Sequence, residues 1–209
     1  MSTFIHGASF LRRVSLVVVA GLAIALTTGC ATHYVDGATK EVAASEYRKP
    51  TVLHPVQMLF EFQTRGVANA AATSHLKPQV LQKVKDSGLF STVEEEPVKG
   101  GALLSVKLNN VPIGDDAFSK GFVTGLTFGL VGSQVSDGYV CTVTYLADGQ
   151  SNPITKTARH AIHTTIGAAP SPGAARKANS IADAVTQMTS QILSTALNEL
   201  SQDAAFAGQ

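Results

Sequence analysis

The chain has 209 residues, of which 44% are hydrophobic and 15% are charged, and its formal net charge is +1. This composition excludes a wholly disordered chain, because such chains combine low hydrophobicity with high net charge. It also excludes a strongly basic nucleic-acid binder, whose affinity depends on a dense set of phosphate contacts. The two cysteines are too few for a disulfide framework, and the length suits one domain with appendages.

The first thirty residues have the pattern of an export signal. Residues 1–13 contain no acidic residue and end in Arg12 and Arg13, and residues 14–26 form an apolar run. This run is shorter than the roughly 20 residues that a membrane-spanning helix needs, so it predicts a removable secretory signal. The arginine pair also occurs in twin-arginine signals. Because Leu11, and not Ser or Thr, stands directly before the pair, the general secretion route is favoured.

The export signal ends in the small residues Thr27, Thr28, Gly29 and Cys30. This stretch resembles the lipobox of bacterial lipoproteins, with Thr27 where Leu is usual. The resemblance implies a lipoprotein signal peptide over 1–29 and fatty acyl chains such as palmitate on Cys30. Because Ala31 and not Asp follows the cysteine, it also implies sorting to the outer membrane. The alternative is ordinary secretion, with cleavage after Ala31.

Residues 30–54 are polar and irregular, with Gly37 and Pro50, and predict a lipidated tether. Residues 55–205 are predicted to form the periplasmic domain. Hydrophobic periodicity predicts, in chain order, a strand over 56–63, a helix over 67–87, a short strand over 90–94, a strand over 102–111, a hairpin of strands over 139–146 and 154–166, and a helix over 174–201. In the first helix we expect Ser74 to cap the later half, Leu76, Val80 and Val84 to form the apolar stripe, and Gly88 to take a left-handed conformation after the last turn.

Strands with two segregated helices indicate the α+β class. We expect a two-layer sandwich in which a mostly antiparallel sheet of about four strands carries both helices on one face. The layout resembles small αβ envelope lipoproteins, such as the family of the curli-secretion lipoprotein or the N-terminal domain of the Tol-Pal propeller protein. A resemblance of layout alone implies no function.

A glycine-rich apolar segment over 118–132 interrupts the strands. Its candidate contact residues, for a membrane or another subunit, are Gly121, Phe122, Gly125, Leu126, Phe128, Gly129 and Leu130. Glycines four residues apart on a helix make a smooth face that another backbone can approach closely. Similar segments occur in many small bacterial lipoproteins. The alternative is a buried connection packed on the sheet.

No motif for catalysis, metal binding or cofactor binding occurs in the sequence. It lacks a Gly-x-Ser-x-Gly elbow, a phosphate-binding loop and the Cys or His spacings of zinc sites. His160 and His163 are three apart in a predicted strand and would face opposite ways, so they cannot share a metal ion. Cys141 is expected to be a buried apolar group. We therefore expect no enzyme, no cofactor and no bound metal.

These observations predict a non-catalytic outer-membrane lipoprotein that binds or supports other components of the cell envelope. Its partners would be the membrane, through Cys30, and an envelope protein or further copies of itself, with no nucleic acid. Its domain would face the periplasm. The alternative is a subunit of an oligomeric pore, secretion or transport assembly that uses residues 118–132 for membrane or subunit contact.

Overall fold

A computed structural model describes residues 31–113, 134–167 and 169–208 of the chain. Within these ranges, eight strands form one mixed sheet that carries three helices and a short 3-10 turn at Ala44–Glu46. The strands are β1 (Ala31–Val35), β2 (Val56–Thr64), β3 (Val67–Ala68), β4 (Val93–Glu94), β5 (Ala102–Pro112), β6 (Gln134–Leu146), β7 (Ile154–Ile166) and β8 (Arg176–Lys177). The helices are α1 (Ala70–Asp86), α2 (Ile181–Ser201) and the short α3 (Ala204–Ala207).

The strand order across the sheet is β3-β2-β5-β6-β7-β1-β8, and β4 pairs with β2. The long strands β5, β6 and β7 pair antiparallel, whereas β2 runs parallel to β5. The parallel pair follows from α1, because a helix that crosses back over the sheet returns the chain to the end where β2 began. The β6–β7 pair confirms the predicted hairpin, with Gly149 in its turn at a φ of +69°.

The predicted sandwich of about four strands and two helices is wrong. The sheet has eight strands, and its parallel pair makes it mixed. Three of the additional strands, β3, β4 and β8, have only two residues each. Strand β4 lies within the short strand predicted over 90–94, whereas β3 and β8 are too short to produce a periodic pattern. The fourth is β1, which lies in the polar stretch expected to be a tether.

Residues 31–54 differ from the predicted tether, because most of the segment packs on the domain. Strand β1 lies between β7 and β8, and Ala31 pairs with Ile166. Tyr47 is buried, and its hydroxyl donates a hydrogen bond to the backbone oxygen of Ser194 in α2 at 3.1 Å. The polar composition of this stretch hides the few positions that make these contacts.

Both long helices begin at side-chain caps and bury one apolar stripe. Asn69 accepts a hydrogen bond from the Ala72 N–H, and Ser180 accepts one from the Asp183 N–H, each at 3.0 Å. Helix α1 is therefore one helix that begins before Ser74, the residue expected to cap its later half, and it contains Pro78. Its buried residues are Leu76, Val80 and Val84, as the spacing predicted. The buried apolar side chains of α2 are Ala184, Met188, Ile192, Leu193, Ala196, Leu197 and Leu200.

The helices cover one face of the sheet, and the core lies between them. Every second residue of β2 and β5 points there, so Met58, Leu104 and Val106 are fully buried. On the opposite face, which we call the outer face, Thr155, Thr157, Arg159 and Lys107 are exposed. At these positions the outer face follows the usual pattern of a sheet with one solvated side.

Candidate functional site

The residues that the sequence singled out for membrane or subunit contact lie outside the described residues. They are Cys30, Gly121, Phe122, Gly125, Leu126, Phe128, Gly129 and Leu130. The described residues next to them in the chain do have positions in the sheet. Ala31 follows Cys30 directly, while Ile113 and Gln134 border the range that contains the glycine-rich segment.

These bordering residues meet at one end of the sheet, which we call the anchor end. Ala31 pairs with Ile166, and Gln134 pairs with the preceding residue of β7, Thr165. Strand β5 ends beside β6, where Pro112 pairs with Asp137. The start of β1, the end of β5, the start of β6 and the end of β7 therefore all lie at the same end.

Two large apolar side chains are exposed at the anchor end. Val135 is 56% exposed and Ile166 is 48% exposed. By strand alternation both belong to the face that the helices cover further along the sheet. Single exposed apolar residues are common, but two at the same end mark a small apolar surface.

Two buried histidines lie on opposite faces of β7, as the odd separation predicted. On the helix-covered face, the His160 Nδ1 accepts a hydrogen bond from the Ala161 N–H at 2.8 Å. The ring proton is therefore on Nε2, which donates to Oε1 of Gln191 in α2 at 2.6 Å. Burial lowers the pKa of His160 from its ordinary value of 6.5, more than the hydrogen bond to Gln191 raises it, so the ring is neutral at pH 7.

On the outer face, His163 forms a hydrogen-bonded chain with residues of two neighbouring strands. Its Nε2 lies 3.0 Å from Oδ2 of Asp36, and its Nδ1 lies 2.8 Å from the hydroxyl of Ser136. Oδ1 of Asp36 also accepts the Ala38 N–H at 2.8 Å. The side chains of Asp36 and His163 are both fully buried. The chain therefore connects the end of β1 to β6 and β7.

Ser, His and Asp are also the members of a hydrolase triad, but the surroundings here favour a structural role. Ser136 lies within a strand and not in a sharp strand-to-helix turn. Sequence reasoning missed this hydrogen-bonded set of side chains because Asp36 falls in the segment predicted to be a tether. A buried carboxylate needs a partner. The position of Asp36 directly after the apolar residue Val35 was the one available signal.

An open cavity of about 550 Å³ lies where β1, β8 and α2 meet, and we call it the edge cavity. The chain turns at Gly37 along its wall, and a Cβ there would lie 2.2 Å from the backbone oxygen of Ala174. Only glycine allows this close approach. The polar residues that line the edge cavity are Asp36, Thr39, Lys40, Glu41, Arg176 and Gln191.

A second cavity, of about 490 Å³, lies beside the β6–β7 turn, at the end of the sheet opposite the anchor end. Its polar lining includes His54, Asp148, Gln150 and Asn152. Ser136 lines neither this cavity nor the edge cavity. Cys141 is buried in β6, as predicted, and burial raises the pKa of its thiol to about 12. The thiol is therefore protonated and unreactive at neutral pH.

Among the residues that the structure describes, no group of three or more His, Cys, Asp or Glu side chains is arranged to hold a metal ion. Across the same ranges, none of the helices combines the length and the apolar character that crossing a membrane requires.

No protein-family model and no curated protein matches the chain. Among solved structures, the chain is similar to PelC, crystallised as a dodecamer, from Paraburkholderia phytofirmans. The two chains are 11% identical, the TM-score is 0.33, and the match covers 81% of this chain and 98% of the PelC chain. A similarity at this level carries no argument about function.

Proposed function

We propose that this protein is a non-catalytic lipoprotein of the outer membrane, anchored by acyl chains on Cys30, whose periplasmic domain binds an envelope partner. The observation that carries the proposal is the shared position of Ala31, Ile113 and Gln134 at the anchor end of the sheet. These residues adjoin the two parts of the chain that the sequence links to a membrane.

A shared end matters because the bilayer is a plane. Acyl chains on Cys30 would bring the residues nearest to Ala31 closest to the membrane surface. The two exposed apolar side chains, Val135 and Ile166, lie among these residues. Contact with the interfacial region of a bilayer would remove their apolar surface from water, which is favourable.

A non-catalytic role is supported by the state of the groups that most often act in catalysis. His160 is hydrogen-bonded to Gln191, and His163 is hydrogen-bonded to Asp36 and Ser136. The Cys141 thiol is buried, with a raised pKa. Neither the two histidine rings nor the Cys141 thiol line the edge cavity or the cavity beside the β6–β7 turn.

The anchor is tested by comparing the two cysteine variants in cell fractionation. We expect Cys30→Ala to move the protein to the soluble periplasmic fraction, because the acylated sulfur is lost. Cys141→Ala is the matched control and should stay with the outer membrane. Mass spectrometry of the wild-type N-terminus should show acyl chains on Cys30. Sedimentation of both variants with membranes would contradict the proposal.

The orientation is tested separately from the anchor by flotation of the Cys30→Ala protein with a large excess of liposomes, which detects the weak interfacial binding left without acyl chains. Val135→Asp and Ile166→Asp should each reduce flotation, because a carboxylate at the interface must lose hydration. Leu53→Asp is the control, since Leu53 is also exposed but lies near the start of β2, at the other end of the sheet. An equal effect of all three substitutions would show that the anchor end has no special role.

The second candidate function is a subunit of an oligomeric envelope assembly, for pore formation, secretion or transport. One observation on the described residues favours it. The outer edge of β2 pairs with β4 at Val56 and Gln57 and with β3 at Gln63 and Thr64, but no strand within the described ranges pairs with it over 58–61. Leu59, in this gap, is 46% exposed. A strand edge of this kind can pair with another chain.

The oligomer is tested by light scattering on the lipidated protein in nonionic detergent. If β2 edges join subunits, Leu59→Asp should lower the measured mass toward that of a monomer, because like charges would meet at the junction. Leu53→Asp should leave the mass unchanged. A wild-type protein that is monomeric at micromolar concentration would rule out this second function and leave the anchor proposal intact.

A further inference from the structure

We propose that the edge cavity binds a small ligand through a carboxylate or phosphate group. The inference uses only described residues and does not depend on the anchor or on the oligomer. It rests on which lining groups already have hydrogen-bonding or ionic partners and which do not.

The acceptors that line the edge cavity already have partners. The carboxylate of Asp36 accepts hydrogen bonds from the Ala38 N–H and lies 3.0 Å from the His163 ring. Glu41 forms a salt bridge with Lys83, and the hydrogen bond from this lysine lowers the pKa of Glu41, so the carboxyl group is ionised and occupied. A cationic ligand would therefore have to compete with the existing partners of both carboxylates.

Within the described ranges, the two cations that line the edge cavity have no ionic partner. Lys40 and Arg176 both line it, and neither forms a salt bridge with any residue that the structure describes. Both are exposed, so their charges are hydrated and open to a ligand from solvent. Arg176 offers a planar set of N–H donors that suits the two oxygens of a carboxylate or phosphate.

Gln191 adds a neutral donor whose orientation is fixed by its hydrogen bond to His160. The Ala161 N–H holds the His160 proton on Nε2, and this proton is donated to Oε1 of Gln191. The amide nitrogen of Gln191 is therefore the group left for the cavity, and no described residue accepts a hydrogen bond from it. An amide held in this way presents its donors to a ligand at a reduced entropic cost of ordering.

The size of the cavity limits the ligand. Its volume of about 550 Å³ lies within the range of small-molecule sites, and it opens to solvent. A sugar acid or a phosphorylated metabolite fits this description, with the anion on Arg176, Lys40 and Gln191 and the neutral part toward the opening. The carboxylates of Asp36 and Glu41 would disfavour a second negative charge on the ligand, so a singly charged carboxylate is the better match.

The test is isothermal titration calorimetry of the protein in the form that the cell produces, in nonionic detergent. The probes are glucuronate, inorganic phosphate and, as the neutral control, glucose. We expect glucuronate or phosphate to bind with a dissociation constant at or below the millimolar range, and glucose not to bind. Binding of glucuronate alone indicates a carboxylate site, and binding of phosphate alone indicates a phosphate site.

Two variants separate the site from a general charge effect. Arg176→Gln should weaken binding about tenfold, as expected for the loss of one hydrogen bond to a charged group. Lys177→Gln removes the same charge from the next residue of β8, which does not line the cavity, and should change the affinity less than about twofold.

Gln191→Glu gives the sharpest comparison. The new carboxylate keeps an oxygen for the His160 Nε2 proton and replaces the amide donors with a negative oxygen, so anion binding should fall at least as much as in Arg176→Gln. An unchanged melting temperature in Arg176→Gln and Lys177→Gln would show that both are folded. The proposal is overturned if neither anion binds the wild-type protein, if glucose binds equally well, or if Lys177→Gln and Arg176→Gln lose affinity equally.

Discussion

The two faces of the sheet are built from the same alternating strands but differ in what covers them. On the helix-covered face, Leu104 and Val143 belong to the hydrophobic core and are fully buried. On the outer face, Thr155, Thr157 and Arg159 of β7 are exposed. The alternation decides which residues share a face, whereas the helices decide which of the two faces becomes the core.

The outer face is itself divided along β7. After the exposed residues Thr157 and Arg159, the next outer-face residues Ala161, His163 and Thr165 are buried. The hydrogen bonds that join Asp36, His163 and Ser136 lie in this buried part of the outer face. Polar residues on a sheet face therefore mean solvent contact in one half of β7 and internal hydrogen bonding in the other half.

The largest expected effect of a substitution is on the helix-covered face. Leu104→Ala should lower the free energy of unfolding by about 3 kcal/mol, because it removes buried methyl groups and leaves a cavity beneath the helices. Urea denaturation followed by circular dichroism measures the change. Ser105→Ala, one residue along β5 and on the outer face, should cost less than about 0.5 kcal/mol. Similar losses in both variants would contradict the assignment of the faces.

A smaller effect is expected in the buried half of the outer face. Asp36→Asn replaces the carboxylate that accepts from His163, and it should lower the free energy of unfolding by about 2 kcal/mol, the usual cost of disrupting a buried hydrogen bond to a charged group. Asp148→Asn, at the exposed β6–β7 turn, is the control and should have little effect. Equal stability of the two variants would show that the Asp36–His163 contact adds nothing.

The third prediction concerns the pH dependence of stability and the buried ring of His160. The lowered pKa of His160 means that the unfolded chain binds a proton more readily than the folded protein, so stability should be lost as pH falls below 6.5. The charges nearest to this ring are Asp36, which raises its pKa, and His163, which lowers it, while burial dominates. His160→Gln cannot titrate. The unfolding free energy of this variant should therefore depend less on pH between pH 7.5 and pH 5 than that of the wild type. Identical slopes would contradict the prediction.

The smallest expected effect is in the exposed half of the outer face. Thr157→Ala should change the free energy of unfolding by less than about 0.5 kcal/mol, since Thr157 is exposed and no helix covers it. A loss of more than about 1 kcal/mol in dilute protein would show that this half of the face is also covered in solution.

The amino-acid sequence predicts the long elements well because their periodicity extends over many residues. The stripe of Leu76, Val80 and Val84 is buried as predicted, and Gly88 has the left-handed φ of +62° expected after the end of α1. The predicted start of the last helix, at 174, is seven residues early. Ser180 caps the helix at Ile181, and β8 occupies part of the stretch before it.

The sequence does not predict the strand count or the cavity, because both depend on pairings between distant segments. Strand β1 is recognisable only through its partners in β7, more than a hundred residues away. The edge cavity likewise combines residues from the stretches around positions 36–41, 174–176 and 191. Individual polar residues such as Lys40 and Arg176 carry no sign of this meeting in their own neighbourhoods.

The pairing of Ala31 with Ile166 has a consequence for how far the domain can travel. A flexible linker of about twenty residues would let a domain sample a wide volume around its attachment point. Here the residue after Cys30 is already a fixed part of the sheet, and one extended residue spans only about 3.5 Å. With acyl chains on Cys30, the domain would be held close to the bilayer in a restricted range of orientations. Any protein that it binds would then have to come close to the membrane surface.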